Sequence, residues 1–199
     1  MTVIGLTGNI GSGKTTVGRL LNEEKGCLCL NADEFGRLVA QPEGEAYPKL
    51  QKAFGSAYFM PDGQLNRPKM AELVFHNKDK LAMLNSIIHP AVLLRLKRAI
   101  SEIAARDMEQ IVVVEAALLI EANYLDILDQ LWLVWADDAV RLKRVMARDG
   151  ISAAQAQARM DNQMPQAEKA KYARYILHNN GSIKDLKREL EDVWQDFCR

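Results

Sequence analysis

The sequence lacks the features that would set it apart from ordinary globular proteins. Its 199 residues include 3 cysteines, 6 prolines and 12 glycines. That is too few for a disulfide scaffold, a collagen-like repeat or a Pro/Gly-rich disordered chain. Cys27, Cys29 and Cys198 are odd in number and form no C-x-x-C pair, which fits neither a disulfide framework nor a zinc site. Neither sign of charge dominates: 26 Lys and Arg face 26 Asp and Glu, for a net charge of +0. A general nucleic-acid binder carries a basic excess, so no nucleic-acid partner is expected. The longest apolar runs, such as Leu131 to Ala136, fall far short of the roughly twenty residues of a membrane span, so no membrane partner is expected. The start, Met1-Thr2-Val3-Ile4-Gly5, has no basic stretch ahead of an apolar one and does not read as a signal peptide. Free thiols and these absences predict a cytoplasmic location.

Hydrophobic residues make up 48% and charged residues 26%, enough for a sizeable core. Short apolar runs at Val3-Ile4-Gly5-Leu6, Cys27-Leu28-Cys29-Leu30, Ile111-Val112-Val113-Val114 and Leu131-Trp132-Leu133-Val134-Trp135 read as buried strands, with a weaker fifth at Tyr175-Ile176-Leu177. Cys27 and Cys29 are expected in the core. Amphipathic helical stretches separate the strands, and this alternation predicts an α/β fold with a parallel sheet flanked by helices. The last helix is expected to be capped by Ser182 with Asp185, and to bury Ile183, Leu186, Leu190, Val193, Trp194 and Phe197. Two insertions interrupt the alternation. Residues 40–107 read as mostly helical, with the later helix broken at Pro90. Residues 140–171 are basic: over 137–175, 8 basic residues outnumber 5 acidic ones.

Gly8-Asn9-Ile10-Gly11-Ser12-Gly13-Lys14-Thr15 fits the phosphate-loop pattern G-x-x-x-x-G-K-[ST] at every position. It follows the first strand and opens an apolar helical face at Val17, Leu20 and Leu21. Glycines let the backbone turn tightly and aim amides at phosphate oxygens, and the helix start adds positive potential. Lys14 is expected at the β- and γ-phosphates and the Thr15 hydroxyl on Mg2+. The motif specifies a nucleoside triphosphate and no more. Asp33-Glu34-Phe35-Gly36 matches the GTPase D-x-x-G by letters, but Asn77-Lys78-Asp79-Lys80 misses the guanine motif, because Lys80 stands where an Asp must accept from the base.

Ligands of open α/β sheets bind beyond the carboxyl ends of strands, so the acids there are candidates. Asp33 follows the second strand, which is expected to flank the first, and is placed to take a proton from a hydroxyl acceptor. Glu115 follows the third strand and suits a metal or substrate role, and Glu121 comes six residues later. Capping of the next helix is the alternative for both Asp33 and Glu115. Arg141, Arg144 and Arg148 are spaced i, i+3, i+7, a single helical face without balancing acids, and could clamp transferring phosphate. His89, ahead of Pro90, is a candidate for a hydrogen bond to substrate or for a structural role.

These residues carry a family resemblance over nearly the whole chain. Ile4-Gly5-Leu6-Thr7-Gly8-Asn9-Ile10-Gly11-Ser12-Gly13-Lys14-Thr15 resembles the opening I-G-L-T-G-G-I-G-S-G-K-S of dephospho-CoA kinases. Asn31-Ala32-Asp33 resembles their D-A-D, Gly63-Gln64-Leu65-Asn66-Arg67 their G-x-L-D-R, Ile88-His89-Pro90 their I-x-H-P, and Leu118-Leu119-Ile120-Glu121 their P-L-L-F-E. Arg144, Arg148, Arg159 and Gln163 follow R-x-x-x-R and R-x-x-x-Q, and Asn179 with Gly181 resembles N-x-G. The resemblance implies a P-loop NTPase fold with a five-stranded parallel sheet. Its nucleotide-binding core would be 1–39, 108–139 and 172–199, its acceptor-binding domain 40–107 and its lid 140–171. It implies ATP-dependent phosphorylation of the ribose 3′-hydroxyl of dephospho-CoA using Mg2+; a monomer is expected, with an oligomer the alternative. Asp33 would be the base, with Lys14, Arg144 and Arg148 also catalytic. ATP contacts fall to Asn9, Ile10, Gly11, Ser12, Gly13, Lys14, Thr15, Thr16 and Asn179, and acceptor contacts to Asp33, Arg67, His89, Glu115, Leu118 and Glu121. The chain departs from the pattern at Asn31, Asn66, Glu115-Ala116-Ala117 and Arg174. A kinase of another small acceptor, such as a nucleotide or shikimate, and a non-catalytic ATP-binding protein are the competing readings.

Overall fold

A computed structural model describes residues 1–199. In chain order the elements are β1 (Thr2–Thr7), α1 (Lys14–Lys25), β2 (Leu28–Asn31), α2 (Ala32–Val39), α3 (Tyr47–Phe54), α4 (Arg67–Phe75), α5 (Lys78–Arg106), β3 (Ile111–Glu115), β4 (Gln130–Trp135), α6 (Asp138–Asp149), α7 (Ala153–Asp161), α8 (Gln166–Ala170), β5 (Tyr175–His178) and α9 (Ile183–Phe197). The chain divides into two compact units, Met1–Leu30 with Arg106–Arg199, and Asn31–Ala105.

The first unit carries a five-stranded parallel sheet in the order β2-β3-β1-β4-β5. β1 sits at its centre, with Leu6 opposite Glu115 of β3 and Thr7 opposite Leu133 of β4. β2 therefore does not flank β1, as had been expected. The apolar Ile111–Val114 run, buried almost throughout, takes the place beside β1, and the half-exposed β2 takes the edge. One face of the sheet presents Ile4, Leu6, Val113, Trp132, Val134 and Leu177 to Val17, Leu20 and Leu21 of α1 and to Leu186 and Leu190 of α9. Trp132 is fully buried and meets Tyr175, Trp194 and Phe197 edge-on at 5.5–6.4 Å, geometry in which aromatic pairs attract beyond their area. The opposite face is closed just as tightly: a Cβ on Gly5 would stand 2.4 Å from Leu128 Cδ1. Burial on both faces is why these strands are apolar throughout rather than alternating.

The Ser182–Asp185 capping box forms as expected. Ile183 differs: it is 50% exposed and lines a surface cavity with Gly13 and Asn179 instead of packing in the core. Cys27 is buried, but Cys29 is exposed on the edge strand, a correction to the expectation that both lie in the core. The Cys29 thiol still turns inward and donates to the Gly18 carbonyl at 3.2 Å.

The second unit is helical. Val39, Leu50, Phe54, Met70, Val92 and Leu96 are buried in it, and Glu45 pairs with Arg95 at 3.2 Å and Arg98 at 3.8 Å. Tyr47 packs edge-on against Phe59 and donates its hydroxyl to the Gly63 carbonyl at 2.7 Å. α5 runs 29 residues without a break at Pro90, contrary to expectation. Pro90 removes one i to i−4 bond, to Ser86. Ser86 lies on the exposed side, where water can satisfy that carbonyl, and Ala91 and Val92 are buried directly after it.

Candidate active site

The loop between β1 and α1 is shaped by its glycines. Gly13 caps α1 at φ 97°, and a Cβ there would stand 2.2 Å from Asn179 Nδ2. Gly11, at φ 80°, lies so close to α6 that a Cβ would meet the Arg141 carbonyl oxygen at 2.7 Å. No other residue fits either position. The N-cap of α1 offers no side-chain acceptor and its first turn holds no acid, so the positive field at the helix start is not cancelled.

Asn179, buried just beyond β5, donates Nδ2 to the Ser12 carbonyl at 2.7 Å. Its Oδ1 accepts from Arg144 at 3.5 Å, and the same guanidinium reaches the Gly11 carbonyl at 3.4 Å. These groups, with Thr16, Gly181, Ile183 and Leu186, line a cavity of about 230 Å³ beside the helix start. A flat heterocycle would meet an apolar floor there and a guanidinium on the side.

Because β3 lies next to β1, its terminal carboxylate reaches the loop. Thr15 donates its hydroxyl to Glu115 Oε1 at 2.7 Å, and Glu115 is 8% exposed while Thr15 is open to solvent. A hydroxyl and a carboxylate oxygen side by side at the end of a phosphate loop are the hard donors Mg2+ takes alongside phosphate and water. No cluster of three or more His, Cys, Asp or Glu could hold a metal by itself. Burial first, and then the Glu115 charge, push the Cys29 thiol up to about 11.

The three arginines of α6 do not share one task. Arg141 is buried, with Nη2 on Asp138 Oδ1 at 2.7 Å and with Nε and Nη1 lacking a protein partner. It lines a cavity of about 400 Å³ with Asn9, Asp138, Gln163 and Gln166. Arg144 braces the loop. Arg148 is exposed and holds Asp149 by two bonds of 2.7 and 3.0 Å, while Arg159 adds a third at 2.7 Å. Acids do balance this helix, at i−3 from Arg141 and i+1 from Arg148, contrary to the single uncompensated face expected.

A protein-family model described as dephospho-CoA kinase matches residues 2–185. Dephospho-CoA kinases of Carboxydothermus hydrogenoformans and Geobacter sulfurreducens are 38% and 37% identical to the chain, covering 100% and 98% of it and 98% of each relative. The chain belongs to the dephospho-CoA kinase family. The solved dephospho-CoA kinase of Campylobacter jejuni aligns with a TM-score of 0.72 at 26% identity, covering 98% of this chain and 96% of that one. A shikimate kinase of Bacteroides thetaiotaomicron, at 14% identity and a TM-score of 0.55, covers 100% and 99% of the two chains and shares the P-loop kinase fold.

In this member of the dephospho-CoA kinase family, the loop residues, Glu115, Arg144 and Asn179 come together within the first unit. Leu118 follows them there, 36% exposed. Glu121 is engaged by Lys169, a fully buried lysine whose Nζ lies 2.9 Å from Glu121 Oε1 and 2.5 Å from the Ala117 carbonyl. Asp33, Arg67 and His89 belong to the second unit. Asp33 is exposed in the first turn of α2, whose N-cap Asn31 accepts from the Glu34 amide at 3.1 Å. An amide at position 31 caps this helix as the family's acid could. Asn66 does the same for α4, accepting from Lys69. Arg67 donates to the Arg37 carbonyl at 3.2 Å, and burial, then the Arg37 charge, hold its pKa below the usual arginine value. His89 lies half-buried on α5. Sequence reasoning missed Lys169 and gave Gln163 no role. Lys169 sat among basic residues that read as surface, and no local pattern marks a partner more than forty residues away.

Proposed function

We propose that this chain transfers the γ-phosphoryl group of ATP to the ribose 3′-hydroxyl of dephospho-CoA, giving CoA and ADP, as a monomer in the cytoplasm. The observation that carries the reading is the glycine-shaped loop with the Thr15–Glu115 pair and a base-sized cavity beside it, in a member of this family. Loop amides and Lys14 hold the β- and γ-phosphates. Thr15 and Glu115 would hold Mg2+, which when bound neutralises charge between those phosphates. The adenine enters the cavity of Gly13, Arg144 and Ile183, with Asn179 bracing the loop behind it. Arg148 releases Asp149 and turns to the phosphates as the α6–α7 tip of the 140–171 segment closes, excluding water that would hydrolyse ATP. Asp33 takes the proton of the acceptor hydroxyl, and Arg67, His89 and Leu118 contact the acceptor. Glu121 shapes the acceptor loop from its pairing with Lys169. Three unpaired cysteines suit a reducing compartment, and no helix is long and apolar enough to cross a membrane.

The test is 31P NMR of the chain with ATP, Mg2+ and dephospho-CoA, with shikimate and nucleoside monophosphates as alternative acceptors. A new 3′-phosphomonoester on dephospho-CoA alone is expected, and phosphorylation of another acceptor in its place would overturn the reading. Asp33→Asn keeps the shape but not the proton acceptor, so turnover should fall roughly 100- to 10,000-fold with ATP affinity unchanged. A mild defect there, beside a larger one in Glu115→Gln, would move the base to Glu115.

A further inference from the structure

The phosphate loop has two halves, and the protein itself occupies one of them. The Ile10 amide donates to Gln163 Oε1 at 2.7 Å, and Asn9 Nδ2 donates to the Met164 carbonyl at 2.9 Å. Both acceptors belong to the short link between α7 and α8. That link is held rigidly. Pro165 restricts Met164 to extended backbone, and the buried Gln166 closes on Ala136 after β4, accepting from its amide at 3.3 Å and donating to its carbonyl at 2.9 Å. The family's opening motif has glycine where this chain has Asn9, and a glycine could not make the second bond.

We propose that Gln163 is a positioning residue for ATP. With Asn9 and Met164 it forms a two-bond latch that fixes the first turn of the loop to the α7–α8 link. Asn9 and Ile10 then dock that link, and the phosphate cradle is left to Gly11–Thr15. The acceptor at Ile10 is a neutral amide, which fixes the loop without placing an anion beside the phosphates. Arg141 Nε and Nη1 and Asn9 Oδ1 lack a protein partner, and both residues line the cavity bordering the latch. The inference rests on the reading of this loop as an ATP site.

The experiment compares Gln163→Met, Gln163→Glu and Asn9→Gly in the full chain. It measures amide exchange at Ile10, affinity for a non-hydrolysable ATP analogue without acceptor, the KM of each substrate, and thermal stability. Gln163→Met should speed Ile10 exchange about tenfold or more. It should weaken the analogue and raise the KM for ATP by about two- to tenfold, the range of one hydrogen bond, with the KM for dephospho-CoA unchanged. Gln163→Glu should keep Ile10 protected, because it retains the acceptor oxygen, yet bind the analogue less well because of its charge. Asn9→Gly should give the smaller loss, and the double variant should lose less than the product of the single losses, since both bonds serve one latch. Unchanged Ile10 exchange in Gln163→Met would overturn the proposal. So would equal rises in both KM values, or a nucleotide defect that only follows lost thermal stability. Analogue binding is read without acceptor, so an acceptor other than dephospho-CoA would leave this outcome intact while refuting the proposed reaction.

Discussion

On the β1–α1 side of the nucleotide site the groups offered to a ligand are backbone amides, set by glycines within a single stretch of chain. On the α6–α8 side stand side-chain braces: Arg144, Gln163 and Lys169, which hold Gly11, Ile10 and Glu121, residues far away in sequence. The first kind of construction tolerates almost no substitution, because backbone geometry is the function. The second is a set of braces, each removable, whose individual effects depend on burial rather than on nearness to phosphate. A phosphate site therefore divides its work between shape, which must be exact in the loop, and support, which can be spread over several contacts.

The largest effect on that support should come from Lys169→Ala. It strands Glu121 without its cation in a buried setting, where breaking an ion pair costs about 3–5 kcal/mol. Urea unfolding reads the loss, and a change under about 1 kcal/mol would mean that the α8 side does not depend on the pair. Next comes Lys14→Ala, which removes a point charge from the β- and γ-phosphates. It should cost about 3 kcal/mol or more of transition-state stabilisation with little change in unfolding. Turnover within tenfold of the parent would place catalytic ATP elsewhere. The smallest effect should be that of Arg148→Ala, an exposed residue, with unfolding changed by less than about 1 kcal/mol.

That last variant also carries a pH signature. The Arg148 hydrogen bonds, reinforced by its charge and by Arg159, hold the Asp149 carboxyl below the usual range despite partial burial. A lowered carboxyl pKa contributes stability that is present above the ordinary aspartate value and lost as pH falls through the lowered one. The gap between parent and Arg148→Ala in thermal unfolding should therefore close on acidification from pH 7 to about 3. A gap that widened in acid would assign Asp149 to some other partner.

The phosphate loop, the parallel sheet and the α9 cap could be read from the sequence because each is written locally: a spacing of glycines, an apolar run, a serine three residues before an acid. Strand order could not. Apolar runs say that a strand is buried but not beside which neighbour, so β2 was placed next to β1 although β3 lies there. Strand order was the ground for setting Asp33 ahead of Glu115; the Thr15–Glu115 bond shows how close Glu115 stands to the loop, while Asp33 keeps the proton-acceptor role proposed for it. The spacing of Arg141, Arg144 and Arg148 suggested one face. It could not show that α6 packs against Gly11, which buries the first arginine and leaves the third in solvent. Gln163 and Lys169 act on partners 153 and 52 residues away, beyond any local pattern.

The bond from Asn179 to the Ser12 carbonyl spans 167 residues and links the second-to-last element of the chain to its first loop. A ribosome making this protein releases the glycine loop well before Asn179. β1 also waits for company, since its two neighbours, β3 and β4, both emerge after residue 110. Nascent chains shorter than about 180 residues therefore hold the whole phosphate motif without the clamp that shapes it. Any truncation that removes β5 and Asn179 removes that clamp while leaving the motif's sequence intact.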